Sequence, residues 1–108
     1  MYQVMKRDGQ IAKFDLSKIC VAIEKAFHAQ EKEYNQDIID LLALKVTADF
    51  EPKIKDGLIQ VEDIQDSVEN ILIKAGYADV AKGYILYRKQ REKIRNLKST
   101  MLDYKEIV

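Results

Sequence analysis

The side chains best suited to chemistry here are basic ones. Lys6 and Arg7 lead into Asp8-Gly9, a tight-turn signal, and Lys18 falls in the first turn of the helix that Asp15 can open. A cation in that turn opposes the helix dipole by roughly a few tenths of a kcal/mol, so Lys18 is either incidental or serves an anion held beside it. A second basic run, Arg88, Lys89, Arg91, Lys93, Arg95 and Lys98, lies towards the other end of the chain. The residue sets for other chemistries are missing. Cys20 is the only cysteine and His28 the only histidine, which excludes an internal disulfide and a Cys/His metal site, and no Ser/His/Asp set offers a nucleophile. Neither GxxxxGK followed by Ser or Thr nor GxGxxG occurs, and Gly9, Gly57, Gly76 and Gly83 are scattered, so a P-loop enzyme is excluded. No catalytic residue and no metal ligand is therefore assigned.

The formal charge is zero, with 18 basic and 18 acidic residues, but its distribution is uneven. Residues 1–18 carry four bases against two acids, residues 19–81 six against 13, and residues 82–108 eight against three. If the two ends lie together, they form a positive site on an acidic body, which suits a compact anion better than a long nucleic acid. A chain of 108 residues, 47% hydrophobic and 33% charged, is one globular domain. It contains no run of roughly 18–20 apolar residues and no signal-peptide core, so it reads as cytoplasmic.

These basic groups must be positioned by local elements. Gln3 to Arg7 and Gln10 to Phe14 alternate about Asp8-Gly9, which predicts a hairpin with a two-residue type I′ loop pairing Arg7 with Gln10, Lys6 with Ile11 and Met5 with Ala12. Asp15 caps a first helix with an apolar stripe of Ile19, Ala22, Ile23, Ala26 and Phe27, running to about Gln30. Asn35 caps a second, with Ile38, Leu41, Leu42, Lys45, Val46 and Phe50 in phase, ending near Pro52. Leu58 to Val61 reads as a short extended stretch. Ile64, Val68, Ile71, Leu72 and Ala75 mark a third helix stopped by Gly76, and a fourth starts by Ala78 with Val80, Ala81, Tyr84 and Ile85 inward. The fold class is α+β, mostly α, with an N-terminal β-hairpin lid on four helices. Cys20 reads as an inert, core-bordering thiol and His28 as a solvated residue at a helix C-terminus. The apolar end, Ile107-Val108, gives the expectation of an N-terminal piece of a longer protein.

Three segments, Val4-Met5-Lys6-Arg7-Asp8-Gly9 with Phe14-Asp15-Leu16-Ser17-Lys18-Ile19, then Val61 to Asn70, then Ala81-Lys82-Gly83-Tyr84-Ile85-Leu86-Tyr87-Arg88, resemble in this order the ATP-cone domain of ribonucleotide reductases. The likeness covers about residues 3–92 and looks most like the N-terminal cone of the anaerobic, glycyl-radical ribonucleoside-triphosphate reductases. It implies a regulatory domain over residues 1–95, with 96–108 starting a linker to a catalytic domain of the same chain. It also implies ATP or dATP, with Mg2+, held between lid and bundle, ATP activating and dATP inhibiting through nucleotide-dependent homo-oligomerisation. By position, the nucleotide contacts fall on Val4, Lys6 and Arg7 in the hairpin, Lys18 on the first helix, Val61 and Gln65 at the start of the third, and Arg91 on the fourth, with Arg88 one turn away. Ala12 stands where some members carry an acidic residue and Gln65 where some carry histidine.

The alternative is a helical nucleic-acid or protein interaction domain using the basic fourth helix. Glu92 interrupts that run, and only Tyr87 supplies an aromatic beside it. A transcriptional repressor carrying the same cone is a variant of this alternative, but it has a zinc ribbon that one cysteine cannot build.

Overall fold

The computed structural model describes the backbone of residues 2–107 and the side chains of residues 2–94. The order is β1 (Gln3–Met5), β2 (Ile11–Lys13), α1 (Leu16–Ala29), α2 (Gln36–Phe50), a 3-10 turn (Glu51–Lys53), β3 (Leu58–Gln60), α3 (Val61–Lys74) and α4 (Ala78–Ile107). The strands form one sheet in the order β2-β1-β3, with β1 antiparallel to β2 and parallel to β3. The α+β, mostly α class holds, and the stretch expected to be merely extended becomes the third strand, paired through Gln3 with Leu58, Val4 with Ile59 and Met5 with Gln60. Because β3 runs directly into α3, this pairing ties the hairpin to the first turn of that helix.

The hairpin register differs from the expected one. Val4 pairs with Ala12 and Met5 with Ile11, one residue away from the type I′ arrangement. The loop is Arg7-Asp8-Gly9, closed by Gly9 N–H to Lys6 O (3.0 Å) and Lys6 N–H to Gln10 O (2.8 Å). Of these three residues only Gly9 takes a positive φ, +87°. A type I′ loop would need positive φ at Asp8 as well, whereas the three-residue loop confines it to glycine. The Asp8 carboxylate secures the turn by accepting from Gln10 N–H at 3.0 Å. The shift matters because side chains alternate across a strand: Val4, Lys6, Gln10 and Ala12 now share one face.

The core is a continuous cluster contributed by all four helices and by Ile59 of β3. α1 begins as expected: the Asp15 carboxylate accepts from Ser17 N–H (3.0 Å) and Ser17 Oγ (2.6 Å), and these bonds hold its pKa below the usual carboxylate value. α2 is turned from its expected phase. Ile39, Leu42, Ala43, Val46 and Phe50 are buried, while Leu41 is 53% exposed and Lys45 faces solvent. Apolar residues lie on several faces of α2, so periodicity alone fits neighbouring stripes, and packing against α1 and α3 selects one. α3 ends beside Gly76, with Tyr77 N–H bonded to Leu72 O at 2.8 Å, although Ala75 is exposed. Gly83 of α4 is buried against α1, where a Cβ would lie 3.1 Å from Ala26 O, so a side chain there would push the helices apart.

Two contacts hold the remaining pieces. Tyr2 and Phe14, at the open end of the hairpin, pack on the buried Phe50 at the end of α2, with ring centroids 5.9 and 5.7 Å away. Arg88 of α4 bridges to α3 through Glu69 (2.6 Å) and Asp66 (3.3 Å). Burial is the largest single influence on the Arg88 guanidinium and lowers its pKa, but the two carboxylates together outweigh it and hold the group above its ordinary value. The helical backbone of α4 continues through position 96, where a linker is expected, and the side chains of the tail from 95 onward lie outside the described residues.

Gly9→Val forces a β-branched residue into positive φ and is expected to lower stability by about 1–3 kcal/mol, with faster amide exchange at the hairpin tip. An unchanged melting temperature contradicts this loop. Arg88→Ala leaves Glu69 without its partner and is expected to lower stability by about 1–3 kcal/mol in urea denaturation. An unshifted midpoint would show that the α3–α4 bridge contributes nothing.

Candidate nucleotide site

Between the hairpin and the bundle lies a cavity of about 510 Å³. Its lining brings together Val4, Lys6 and Arg7 from β1 and the loop, Lys18 from α1, Val61 and Gln65 from α3, and Arg88 and Arg91 from α4. The hairpin, the starts of α1 and α3, and α4 thus meet at one place, although Val4 and Arg91 are 87 positions apart. The geometry follows from the elements. Strand alternation puts Val4 and Lys6 on one face, the observed register sets Ala12 opposite Val4, and the Asp15 cap places Lys18 in the first turn of α1. The β1–β3 pairing brings the start of α3 under the hairpin.

The cavity has an apolar floor and a charged rim. Val4, Ala12, Ile19, Ala22, Val61, Ile64 and Val68 supply aliphatic surface, and Tyr84 is 5% exposed, with burial pushing its phenol pKa well up so that it stays neutral. The cations are Lys6, Arg7, Lys13, Lys18, Arg88 and Arg91, against Asp8 and Asp15. They are not equivalent. Arg88 is held by Glu69 and Asp66, which makes it a brace of the wall. Arg7 reaches across to Glu62 (3.5 Å) and Glu92 (3.1 Å) and donates to Gln65 Oε1 (3.3 Å). Among the described residues no ion pair is formed by Lys6, Lys13, Lys18 or Arg91, and the Arg91 guanidinium lies 6.0 Å from the centre of the Tyr87 ring, which Lys25 also approaches at 5.4 Å.

Such a site can hold an apolar planar group with a polyanion attached, since aliphatic surface covers the first and charge-assisted donors meet the second. Its lining contains no cysteine, histidine, serine or threonine, and no cluster of metal-ligating residues occurs among the described residues. Cys20 lies outside it, half-buried against the core, its thiol pKa raised by burial and then by Asp40 and Glu24. His28 is also elsewhere, sharing a 3.0 Å hydrogen bond with Tyr34 Oη.

Some residues in and beside the cavity were not assigned to it from the sequence. Ala12 and Gln10 depend on the hairpin register, which the Asp-Gly pair misplaced by one residue. Glu62 and Glu92 show no local signal for their role, because each sits on an exposed helix surface and meets Arg7 only through tertiary folding. Tyr87 carried a partial signal as an aromatic next to the basic run.

No helix of the described residues is long and apolar enough to cross a membrane. Comparison with known proteins adds to this geometry. The chain is similar to the ribonucleoside-diphosphate reductase subunit alpha of Chlamydia pneumoniae, 41% identical over 98 residues, which cover 85% of this chain and 9% of that protein. It is also similar to the vitamin B12-dependent ribonucleoside-diphosphate reductase of Thermoplasma acidophilum, 39% identical over 92% of this chain and 13% of that protein. With the anaerobic ribonucleoside-triphosphate reductase of Haemophilus influenzae the identity is 31%, over 93% of this chain and 14% of that protein. The chain therefore spans only about a tenth of the length of the curated relatives it matches, and the likeness extends over three kinds of reductase. The pattern of the ATP cone domain matches residues 2–93, nearly the whole hairpin-and-bundle unit, and the chain belongs to the ATP-cone family.

Proposed function

We propose that this chain is a regulatory module that binds ATP or dATP in the cavity under the hairpin and controls the overall activity of a ribonucleotide reductase. The observation that carries the proposal is the cavity itself: an apolar floor joined to a cationic rim, in the family whose name is its ligand. The base lies against Val4 and Val61, and the phosphates meet Lys6, Arg7, Lys18 and Arg91, with Mg2+ sharing their charge. Gln65 faces the ligand beside Arg7, and Arg88 holds the wall behind it. The module breaks no bond. It acts through linkage, ATP favouring an active state and dATP an inhibited one, with residues 1–95 as the regulatory unit and 96–108 leading into a catalytic domain of the same chain. Differential affinity is required, because a ligand that binds both states equally shifts neither. The inhibited state is a nucleotide-dependent homo-oligomer.

The rival reading, a basic α4 surface for nucleic acid, is weakened by Arg88, whose charge is already matched by Glu69 and Asp66. Calorimetric titration with ATP, dATP, GTP and a short DNA duplex, with and without Mg2+, separates the two. Micromolar-range heats for ATP and dATP with little response to GTP or DNA are expected, and DNA binding without nucleotide heat contradicts the proposal. Lys6→Ala and Arg7→Ala are each expected to weaken ATP binding by about 1–3 kcal/mol with the fold intact. Unchanged affinity in the folded variants removes the hairpin from the site.

A further inference from the structure

Arg7 is the one side chain of the hairpin tip that crosses the cavity mouth to both α3 and α4. Its Nε lies 3.5 Å from Glu62 Oε1, its Nη1 3.1 Å from Glu92 Oε1, and its Nη2 donates to Gln65 Oε1 at 3.3 Å. All three nitrogens are thus occupied, and the Arg7 side chain is only 25% exposed although it sits in a surface loop. The opposite end of the hairpin is fixed by the Tyr2–Phe14–Phe50 aromatic contacts. The lid is therefore held at its base by apolar packing and at its tip by charge.

We propose that Glu62 and Glu92 form an anion-mimicking latch that holds the hairpin over the cavity and sets its affinity for a polyphosphate. This rests on the reading of the cavity as a nucleotide site. The two carboxylates occupy on Arg7 the place that phosphate oxygens take, so an incoming anion exchanges with them. The exchange is feasible because both acids are surface groups, 61% and 52% exposed, and return to water on release. Exposed ion pairs are worth little individually, so a polyanion that meets Arg7 and the neighbouring lysines together displaces them. The closed latch lowers apparent affinity, because only the fraction of molecules with the latch undone is competent to bind. Since Glu92 belongs to α4, the exchange at Arg7 alters a contact on that long helix, giving occupancy of the cavity a route along α4 and away from the hairpin.

The test compares wild type, Glu62→Gln/Glu92→Gln, Glu92→Gln and, as a control that removes a neighbouring acid with no bond to Arg7, Asp63→Asn. Amide exchange at Lys6 and Gly9 is read by NMR without ligand, and ATP affinity by calorimetry. In the double variant, ATP is expected to bind about two- to tenfold tighter and both amides to exchange faster, with a smaller change in Glu92→Gln. Asp63→Asn is expected to leave the exchange rates unaltered. Unchanged exchange in the double variant, or equal effects from Asp63→Asn, would overturn the latch. If wild type binds no ATP, the nucleotide reading fails, yet the exchange rates still decide whether the latch exists.

Discussion

The parallel pairing of β1 with β3 is the constraint on which the site depends. Three residue pairs join the N-terminal strand to a strand that runs without a break into α3. An isolated two-stranded hairpin is marginal in water, and here it gains both a third strand and a buried anchor, Ile59. The consequence is geometric. The hairpin is carried as part of the bundle, and its inward face is set opposite the first turn of α3 at a spacing that leaves a cavity. Without this pairing the lid would rest chiefly on the aromatic contacts at Phe50, the packing of Val4 on the core and the polar contacts of Arg7.

A net charge of zero hides how the charges are used. The acids of the middle segment do not simply solvate the surface: Asp66 and Glu69 neutralise Arg88, and Glu62 engages Arg7. What the cavity presents is the surplus, chiefly Lys6, Lys13, Lys18 and Arg91. The distinction between bracing and ligand-facing cations follows from distance and burial. Arg88 lies close to the half-buried Glu69 and acts within the wall, whereas the lysines stand at the rim, where a desolvated polyanion would gain most from them.

Much of the fold was legible because the signals were local. The caps Asp15 and Asn35, the stripe of α1 and the stop at Gly76 each lie within a few residues of the element they define. The three segments of family likeness marked the residues that meet in the cavity. What was not legible came from competition that only tertiary structure resolves. Asp-Gly is compatible with a two- or a three-residue loop, and the sheet edge formed by β3 accompanies the latter register. α2 has apolar residues on adjoining faces, so Leu41 and Ile39 compete for the interior and packing chooses Ile39. The partners of Arg7 and Arg88 lie between 19 and 85 positions away, beyond any local pattern.

The central claim is that a nucleotide occupies the space between hairpin and bundle, and amide NMR of the chain titrated with ATP addresses it most directly. The account predicts shifts concentrated at Val4 to Gln10, Lys18, Val61 to Gln65 and Arg91, with little change around His28 and Tyr34 at the far end of α1. Shifts confined to the solvent face of α4 around Lys89 and Lys93, with the hairpin unmoved, would contradict it.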